Sequence, residues 1–243
     1  MLILGIETSC DDTAIALVRV DDGKIEVLAN VISSQVSTHS PYGGVVPMLA
    51  AREHEKNLPL VLSAALHESR ITNNDIDLIA VTSGPGLIMS LVRGVNFAKQ
   101  LALDQNKPLV GINHIEGHIY SNWLPPVANP KSEILNPKFP ALCLIVSGGH
   151  TELVLMKNHG EYELIGRTVD DAAGEAFDKI GRMLGLPFPG GPAISQEADR
   201  FEGSGVRFEL PRPMIHSKNF NFSFSGLKTA VYYLLRDLPE DRP

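Results

Sequence analysis

The sequence has little of what marks an exported or membrane-inserted protein. Only two of its 243 residues are cysteines, Cys10 and Cys143, which is too few for a disulfide framework. Its apolar runs, such as Ala141–Val146, are far shorter than the roughly 20 residues that cross a bilayer. The first apolar run reaches Glu7 without a basic flank, so no export signal is predicted. We therefore expect a cytoplasmic protein whose cysteines are reduced.

Positive charge is also scarce. The chain has 21 Lys and Arg against 28 Asp and Glu, which gives a net charge of −7. A protein that holds nucleic acid unaided usually carries a basic stripe, and the sequence shows none. If the substrate is a nucleic acid, we expect other subunits to help hold it.

What the chain does contain is an α/β pattern that occurs twice. In the first copy, three apolar runs separated by polar turns predict a meander of strands. A helix follows from Pro47, and Pro59 is expected to break or kink it. The remaining elements of this copy are a strand, a helix and a strand, predicted at residues 78–82, 88–103 and 109–112.

The second copy starts again with three strands, predicted at residues 141–146, 151–157 and 161–167. The helix after them carries an apolar stripe at i, i+3, i+4 spacing that is expected to pack on the second sheet. Its members are Ala173, Ala176, Phe177, Ile180 and Leu184. We therefore predict a lobe at residues 1–112, a metal-site helix and Pro-rich linker at 113–140, and a lobe at 141–243.

The sharpest chemical signal is the segment from His114 to His118. Two histidines at i and i+4 lie on one side of a helix, where they can ligate one metal ion. Glu116 is two residues after the first histidine, whereas the general base of a zincin follows it directly, so a metalloprotease is disfavoured. The alternative that stays open is a pair of structural histidines on an ordinary helix.

Four further sites have weaker signals. Ile145, Val146, Ser147, Gly148 and Gly149 join two strands through a turn whose N–H groups could approach a phosphate, although a plain hairpin turn would look similar. The matching turn of the first copy contains Asp11, for which a solvated surface acid is the alternative. Pro189 is expected to open a helix whose Gly191 amide points outward. Asp178 fits either a hydrogen-bonding site acid or a surface salt bridge.

The histidines without a partner at helical spacing are assigned to surface or turn positions. They are His39, His54, His67, His159 and His216.

Seven segments together resemble the TsaD (Gcp/YgjD) family in order and spacing, and most closely its bacterial form. They are residues 5–13, 42–47, 114–118, 147–151, 170–179, 189–192 and 222–228. The resemblance covers the whole chain and implies a duplicated actin-like (ASKHA, ribonuclease H-like) two-lobed α/β fold with a cleft between the lobes. Family members continue well past residue 243, into an Asn that contacts nucleotide and an Asp that completes the metal site. The second lobe is therefore expected to be incomplete, and two protein ligands should hold the ion more weakly than the usual three.

The resemblance also implies an acyltransferase. Its reaction moves the threonylcarbamoyl group from threonylcarbamoyl-AMP to N6 of the adenosine 3′ of the anticodon in tRNA. His114 and His118 would ligate one Fe²⁺ or Zn²⁺ ion, and Asp11 would orient the incoming group. The residues implied to contact the adenine nucleotide, which is threonylcarbamoyl-AMP or an ATP/ADP-like ligand, are Ile145, Val146, Ser147, Gly148, Gly149, Asp178 and Gly191.

The implied partners are a TsaB-type paralogue, a TsaE-type small ATPase, tRNA, and a TsaC-type synthase that makes threonylcarbamoyl-AMP; no membrane is involved. The alternative function is a truncated, non-catalytic interaction module that dimerises with the TsaB-type paralogue.

Overall fold

The computed structural model describes residues 1–124, 138–201 and 208–238. The chain forms two compact units that divide between residues 137 and 138. The Pro-rich linker predicted up to residue 140 lies almost entirely outside the described residues. Within the described ranges, no helix combines the length and the apolar character needed to cross a membrane.

The first unit is built on a five-stranded sheet in the order β3-β2-β1-β4-β5. The first three strands form the predicted antiparallel meander, and the last two run parallel to β1. Their bounds are β1 Leu2–Glu7, β2 Asp12–Asp21, β3 Lys24–Ser34, β4 Leu78–Gly84 and β5 Leu109–Asn113. Because β1, β4 and β5 are parallel, their carboxyl ends meet at one edge of the sheet.

Helices cover this sheet. The long helices α2 and α3 pack on the strands and on each other, and Glu55 of α2 pairs with Arg93 of α3 at 3.3 Å. The bounds are α1 Val36–His39, α2 Pro47–Ser69, α3 Ile88–Gln105 and α4 His114–Tyr120, with 3₁₀ turns at Ser40–Tyr42, Asn73–Asp75 and Ser121–Trp123.

Pro59 does not break α2, which runs over 23 residues through it. An interior proline costs a helix about 3 kcal/mol because it lacks an N–H and crowds the preceding turn. Here the flanking residues Leu58 and Val61 are buried in the hydrophobic core. Packing against the sheet therefore outweighs the local penalty, so of the expected break or kink, the break does not occur.

The second unit repeats the meander. Strands β6 Ala141–Val146, β7 Thr151–Asn158 and β8 Glu161–Arg167 pair antiparallel in the order β6-β7-β8. Three helices follow, α5 Ala173–Met183, α6 Gly190–Arg200 and α7 Ser225–Asp237. Within the described part of this unit, β4 and β5 have no counterparts. The predicted duplicated actin-like α/β fold is confirmed.

The apolar stripe predicted on α5 is only partly buried. Ala173 and Ala176 are buried, but Phe177 is 45% exposed. The helix ends at Met183, so Leu184 is its C-cap and is 46% exposed. Small residues pack here instead, because Gly181 of α5 lies against the backbone of Gly190 at the start of α6.

Candidate functional site

The two predicted histidines lie at the edge where the parallel strands of the first unit end. Helix α4 begins directly after β5, and the Asn113 side chain caps it by accepting hydrogen bonds from the N–H groups of Ile115 and Glu116, at 2.9 and 3.2 Å. This cap fixes the first turn of a short helix. The Nε2 atoms of His114 and His118 are 3.1 Å apart, so the two rings direct these nitrogens toward one point.

This spacing fits one metal ion. Two imidazole nitrogens about 2.0–2.1 Å from a tetrahedral ion are separated by about 3.3 Å, close to the 3.1 Å between the two Nε2 atoms. Among the described residues, no group of three or more His, Cys, Asp and Glu side chains surrounds such a point. The described residues could therefore offer two ligands, and the other coordination positions would be left to solvent, substrate or further protein groups.

Glu7 orients His114 from the end of β1. Its Oε2 atom lies 3.2 Å from Nδ1 of His114 and accepts a hydrogen bond from Thr82 Oγ1 at 2.5 Å. The Ser9 N–H donates to the other carboxylate oxygen, and Ser9 Oγ lies 3.1 Å from the same Nδ1. An ionised carboxylate can only accept, so Nδ1 of His114 carries the proton and Nε2 keeps its lone pair. A carboxylate behind a ligating histidine is the usual support of a metal site.

The carboxyl group of Glu7 stays ionised. Burial raises its pKa, but the hydrogen bonds from His114, Ser9 and Thr82 outweigh burial and lower the pKa from 4.5 to about 2. Glu7 was not among the site residues predicted from the sequence. Its position at the end of one parallel strand, with His114 after another, was the available signal.

Asp11 lies in the turn between β1 and β2, and its backbone carbonyl accepts a hydrogen bond from the N–H of Gln35 at 3.1 Å. The neighbouring Cys10 contributes a thiol to the same turn. Burial, reinforced by the carboxylates of Asp11 and Asp12, raises its pKa from 9.0 to about 12. Asp11 remains the candidate of this turn, and its role is still a prediction.

The predicted phosphate-side segment is partly strand. Ile145 and Val146 are the last residues of β6, and the Ile145 side chain is buried. The turn itself is closed by hydrogen bonds from Ser147 N to His150 O at 2.8 Å and from His150 N to Ser147 Oγ at 3.0 Å. Gly148 and Gly149 are exposed at its tip. Next to the turn is a cavity of about 370 Å³ lined by Gly149, His150, Thr151, Glu152, Arg167, Thr168 and Val169.

Asp178 and the Gly190-Gly191 pair meet between α5 and α6. Asp178 Oδ1 accepts a hydrogen bond from the N–H of Gly190 at 2.8 Å. This carboxylate therefore anchors the start of α6, in place of the surface salt bridge that was the alternative. The helix begins at Gly190, with Pro189 as its N-cap, so Pro189 precedes the first helical position instead of occupying it. Gly191 follows at the second position and is half-buried.

Two carboxylates that the sequence analysis did not single out tie the remaining motif segments together. Asp171 pairs with Lys179 of α5 at 3.0 Å and with Lys228 of α7 at 2.6 Å. Asp170 accepts hydrogen bonds from Ser223 Oγ and from two backbone N–H groups at the start of α7, at distances of 2.5, 2.8 and 3.2 Å. Adjacent acids thus connect residues 170–179 to residues 222–228.

We expect Asp170→Ala to lower the free energy of unfolding by about 1–2 kcal/mol, since it removes the side chain that caps α7. Asp170→Asn retains one acceptor oxygen and should cost less than half as much. Burial raises the pKa of Asp170 but its three hydrogen bonds outweigh burial and lower it. The difference in free energy of unfolding between the wild type and the alanine variant should therefore have its full value above about pH 4. It should decrease as the pH falls below that value. Urea unfolding at pH 7 and pH 3 measures both effects, and equal values for the two variants would contradict the capping role.

Two histidines assigned to surface or turn positions are instead buried. His39 and His54 are both fully inaccessible to solvent and are hydrogen-bonded to other buried polar groups. Lack of a partner at helical spacing says nothing about partners from other elements, so this assignment is wrong for both.

Comparison with known proteins identifies a family. A family model described as TsaD, tRNA N6-adenosine threonylcarbamoyltransferase, matches residues 26–241. A relative of the same description from Thermomicrobium roseum is 57% identical over 235 residues, covering 97% of this chain and 62% of that protein. One from Bacillus subtilis is 50% identical over 237 residues, covering 98% of this chain and 64% of that protein. The chain thus spans less than two thirds of the length of either relative.

Among solved structures, YeaZ from Pseudomonas aeruginosa superposes with a TM-score of 0.40 at 16% identity, covering 71% of this chain and 68% of that one. This similarity is too low to bear on function.

Proposed function

Because this chain belongs to the TsaD family of tRNA N6-adenosine threonylcarbamoyltransferases, we propose that the protein transfers the threonylcarbamoyl group from threonylcarbamoyl-AMP to N6 of the adenosine 3′ of the anticodon in tRNA. The observation that carries the proposal is the convergence of His114 and His118, with Glu7 behind His114. This arrangement supports a metal site with open coordination positions.

One Fe²⁺ or Zn²⁺ ion would be held by His114 and His118. When bound, the ion supplies a Lewis acid that polarises an oxygen of the substrate. The protein residues have defined tasks around it. Glu7 keeps the Nδ1 proton on His114 and so directs the Nε2 lone pair outward. Thr82 and Ser9 keep Glu7 ionised and in place.

The adenine nucleotide is proposed to contact the second unit. The exposed backbone at Gly148 and Gly149 offers N–H groups to a phosphate, and Ser147 adds a hydroxyl. Of the other implied contacts, Ile145 and Val146 can contribute through the backbone at the end of β6, and Gly191 through its amide. Asp178 is engaged with Gly190, so its contribution is to position this helix start as well as to contact the ligand.

Asp11 is proposed to orient the incoming group, and other proteins are proposed to complete the system. With a net charge of −7, the chain is poorly suited to hold tRNA alone. A TsaB-type paralogue and a TsaE-type ATPase would assist, and a TsaC-type synthase would supply threonylcarbamoyl-AMP. Because tRNA is the substrate, the protein is expected to act in the cytoplasm.

The test is transfer of radiolabelled threonylcarbamoyl to tRNA by this protein with the partner proteins present, and with the Bacillus subtilis relative as positive control. We expect measurable transfer that Glu7→Gln lowers 10- to 100-fold, because a support of a metal ligand typically has effects of that size. The matched control is Glu26→Gln, since Glu26 forms an exposed ion pair with Arg19. No transfer beside an active positive control would contradict the proposal. Binding of the paralogue without transfer would support the interaction module.

A further inference from the structure

Three successive backbone carbonyls in the turn after β1 are each held by a different part of the chain. Ser9 O accepts the N–H of Leu87 at 2.7 Å, and Asp11 O accepts the N–H of Gln35 at 3.1 Å. Between them, Cys10 O lies 3.0 Å from Nε2 of His54. The middle carbonyl is therefore the one that depends on a side chain.

His54 belongs to a buried network of hydrogen-bonded side chains. Backbone groups at the two ends of this network determine which side-chain atoms donate and which accept. A backbone carbonyl can only accept, so Nε2 of His54 donates to Cys10 O and Nδ1 must accept. Its main donor is Thr13 Oγ1 at 2.7 Å, and Gln35 Nε2 lies at 3.4 Å. At the far end the Val46 N–H can only donate, and it lies 3.4 Å from Nδ1 of His39.

The hydrogen bonds in the middle of this network are consistent with those at both ends. Since Nδ1 of His39 accepts, its Nε2 donates to Gln35 Oε1 at 3.1 Å, and the Gln35 amide nitrogen faces His54 and Ala50 O. Both histidines are thus neutral and protonated on Nε2. In agreement, burial lowers the pKa of His54 and outweighs the hydrogen bond to Cys10 and the carboxylates of Glu7, Asp11 and Asp12, which raise it.

We propose that Gln35, His39 and His54 are positioning residues that link the segment around Val46 to the Cys10 carbonyl and thereby hold the turn that follows Glu7 and contains Ser9 and Asp11. The position of this turn affects the histidine pair, because Ser9 Oγ and Glu7 Oε2 both contact Nδ1 of His114. Without this network, two buried histidines and a buried glutamine would have unsatisfied polar groups, which is strongly destabilising. The satisfied network specifies one conformation of the turn.

Two variants of one residue separate positioning from general packing. In His54→Gln the amide nitrogen can take the place of Nε2 and still donate to Cys10 O, whereas in His54→Asn the shorter side chain can replace only the Nδ1 interaction. Both lose the ring and should lower the melting temperature, and His54→Asn should lower it further because Cys10 O also loses its donor. We expect the amides of Leu87 and Gln35, which donate to the two flanking carbonyls, to exchange hydrogen about tenfold faster in His54→Asn than in His54→Gln.

A second measurement is independent of the variants. Long-range ¹H–¹⁵N spectra of the wild-type protein should show His39 and His54 as neutral Nε2–H tautomers at pH 7. Equal exchange of the two amides in both variants, or an Nδ1–H tautomer at His54, would overturn the proposal.

The link to activity rests on the proposed function. If transfer is measurable, His54→Asn should lower kcat about tenfold relative to His54→Gln, with KM changing less than twofold, and equal kcat values would contradict that link. If the wild type transfers nothing, the proposed function fails, whereas the exchange and tautomer measurements still decide whether the turn is positioned in this way.

Discussion

Replacing His114 and His118 together with alanine is expected to abolish stoichiometric binding of Zn²⁺ or Fe²⁺, with at least a hundredfold loss of affinity. The two Nε2 atoms are 3.1 Å apart, and the described residues offer no cluster of three or more potential ligands elsewhere. Without both rings, the two nitrogens that converge on one point are lost. Metal content after dialysis against a defined free-metal concentration, together with Co²⁺ absorption spectra, measures the loss.

The single variants and a control sharpen the result. Each single alanine variant should bind at least tenfold more weakly, because each removes one of the two converging nitrogens. His67→Ala is the matched control, since His67 lies exposed on α2. Undiminished metal content in the double variant would place the ion elsewhere and remove the main support for a metal-assisted transfer.

Gly190→Ala is expected to destabilise the second unit by about 3 kcal/mol, the larger end of what overpacking costs. A β-carbon at this position would lie 2.5 Å from the carbonyl oxygen of Phe177 and 2.7 Å from the Cα of Asp178. Both atoms are backbone of α5, so a rotamer change cannot relieve the clash. The separation of α5 and α6 would have to increase, which would also stretch the hydrogen bond from Gly190 N to Asp178.

Gly191→Ala is the matched control for this prediction. Its added β-carbon meets only the Cβ of Phe177, at 3.8 Å, which is ordinary contact. Because alanine is intrinsically more favourable than glycine within a helix, this variant should be neutral or slightly more stable. Guanidinium unfolding followed by circular dichroism compares the two variants. Similar stabilities would mean that α6 shifts easily and that close packing does not require Gly190.

Most of the secondary structure was predictable because it follows from local patterns. Alternating apolar runs gave the two antiparallel meanders, and the polar turns placed their ends within a few residues. The failure at Pro59 has a different cause. Its local penalty is real, but the burial of Leu58 and Val61 is a property of the sheet on which α2 lies, which the pattern around Pro59 does not describe.

Part of the candidate site could be predicted from the sequence. His114 and His118 were identifiable because helical geometry alone brings i and i+4 side chains together. Gln35, His39 and His54 could not be recognised as a network from the sequence, because their partners lie in other elements. Cys10, for example, lies 44 residues before His54. The need for glycine at position 190 was equally hidden, since the sequence offers two adjacent glycines and only the approach of α5 distinguishes them.

The sequence by itself therefore determined the repeated α/β order and the spacing of the two histidines, because both depend on contacts within one element or one hairpin. Only the tertiary structure decided which carboxylate supports His114. Glu7 is 107 residues away, and the two meet because β1, β4 and β5 are adjacent and parallel. Their carboxyl ends then coincide, which no local periodicity encodes.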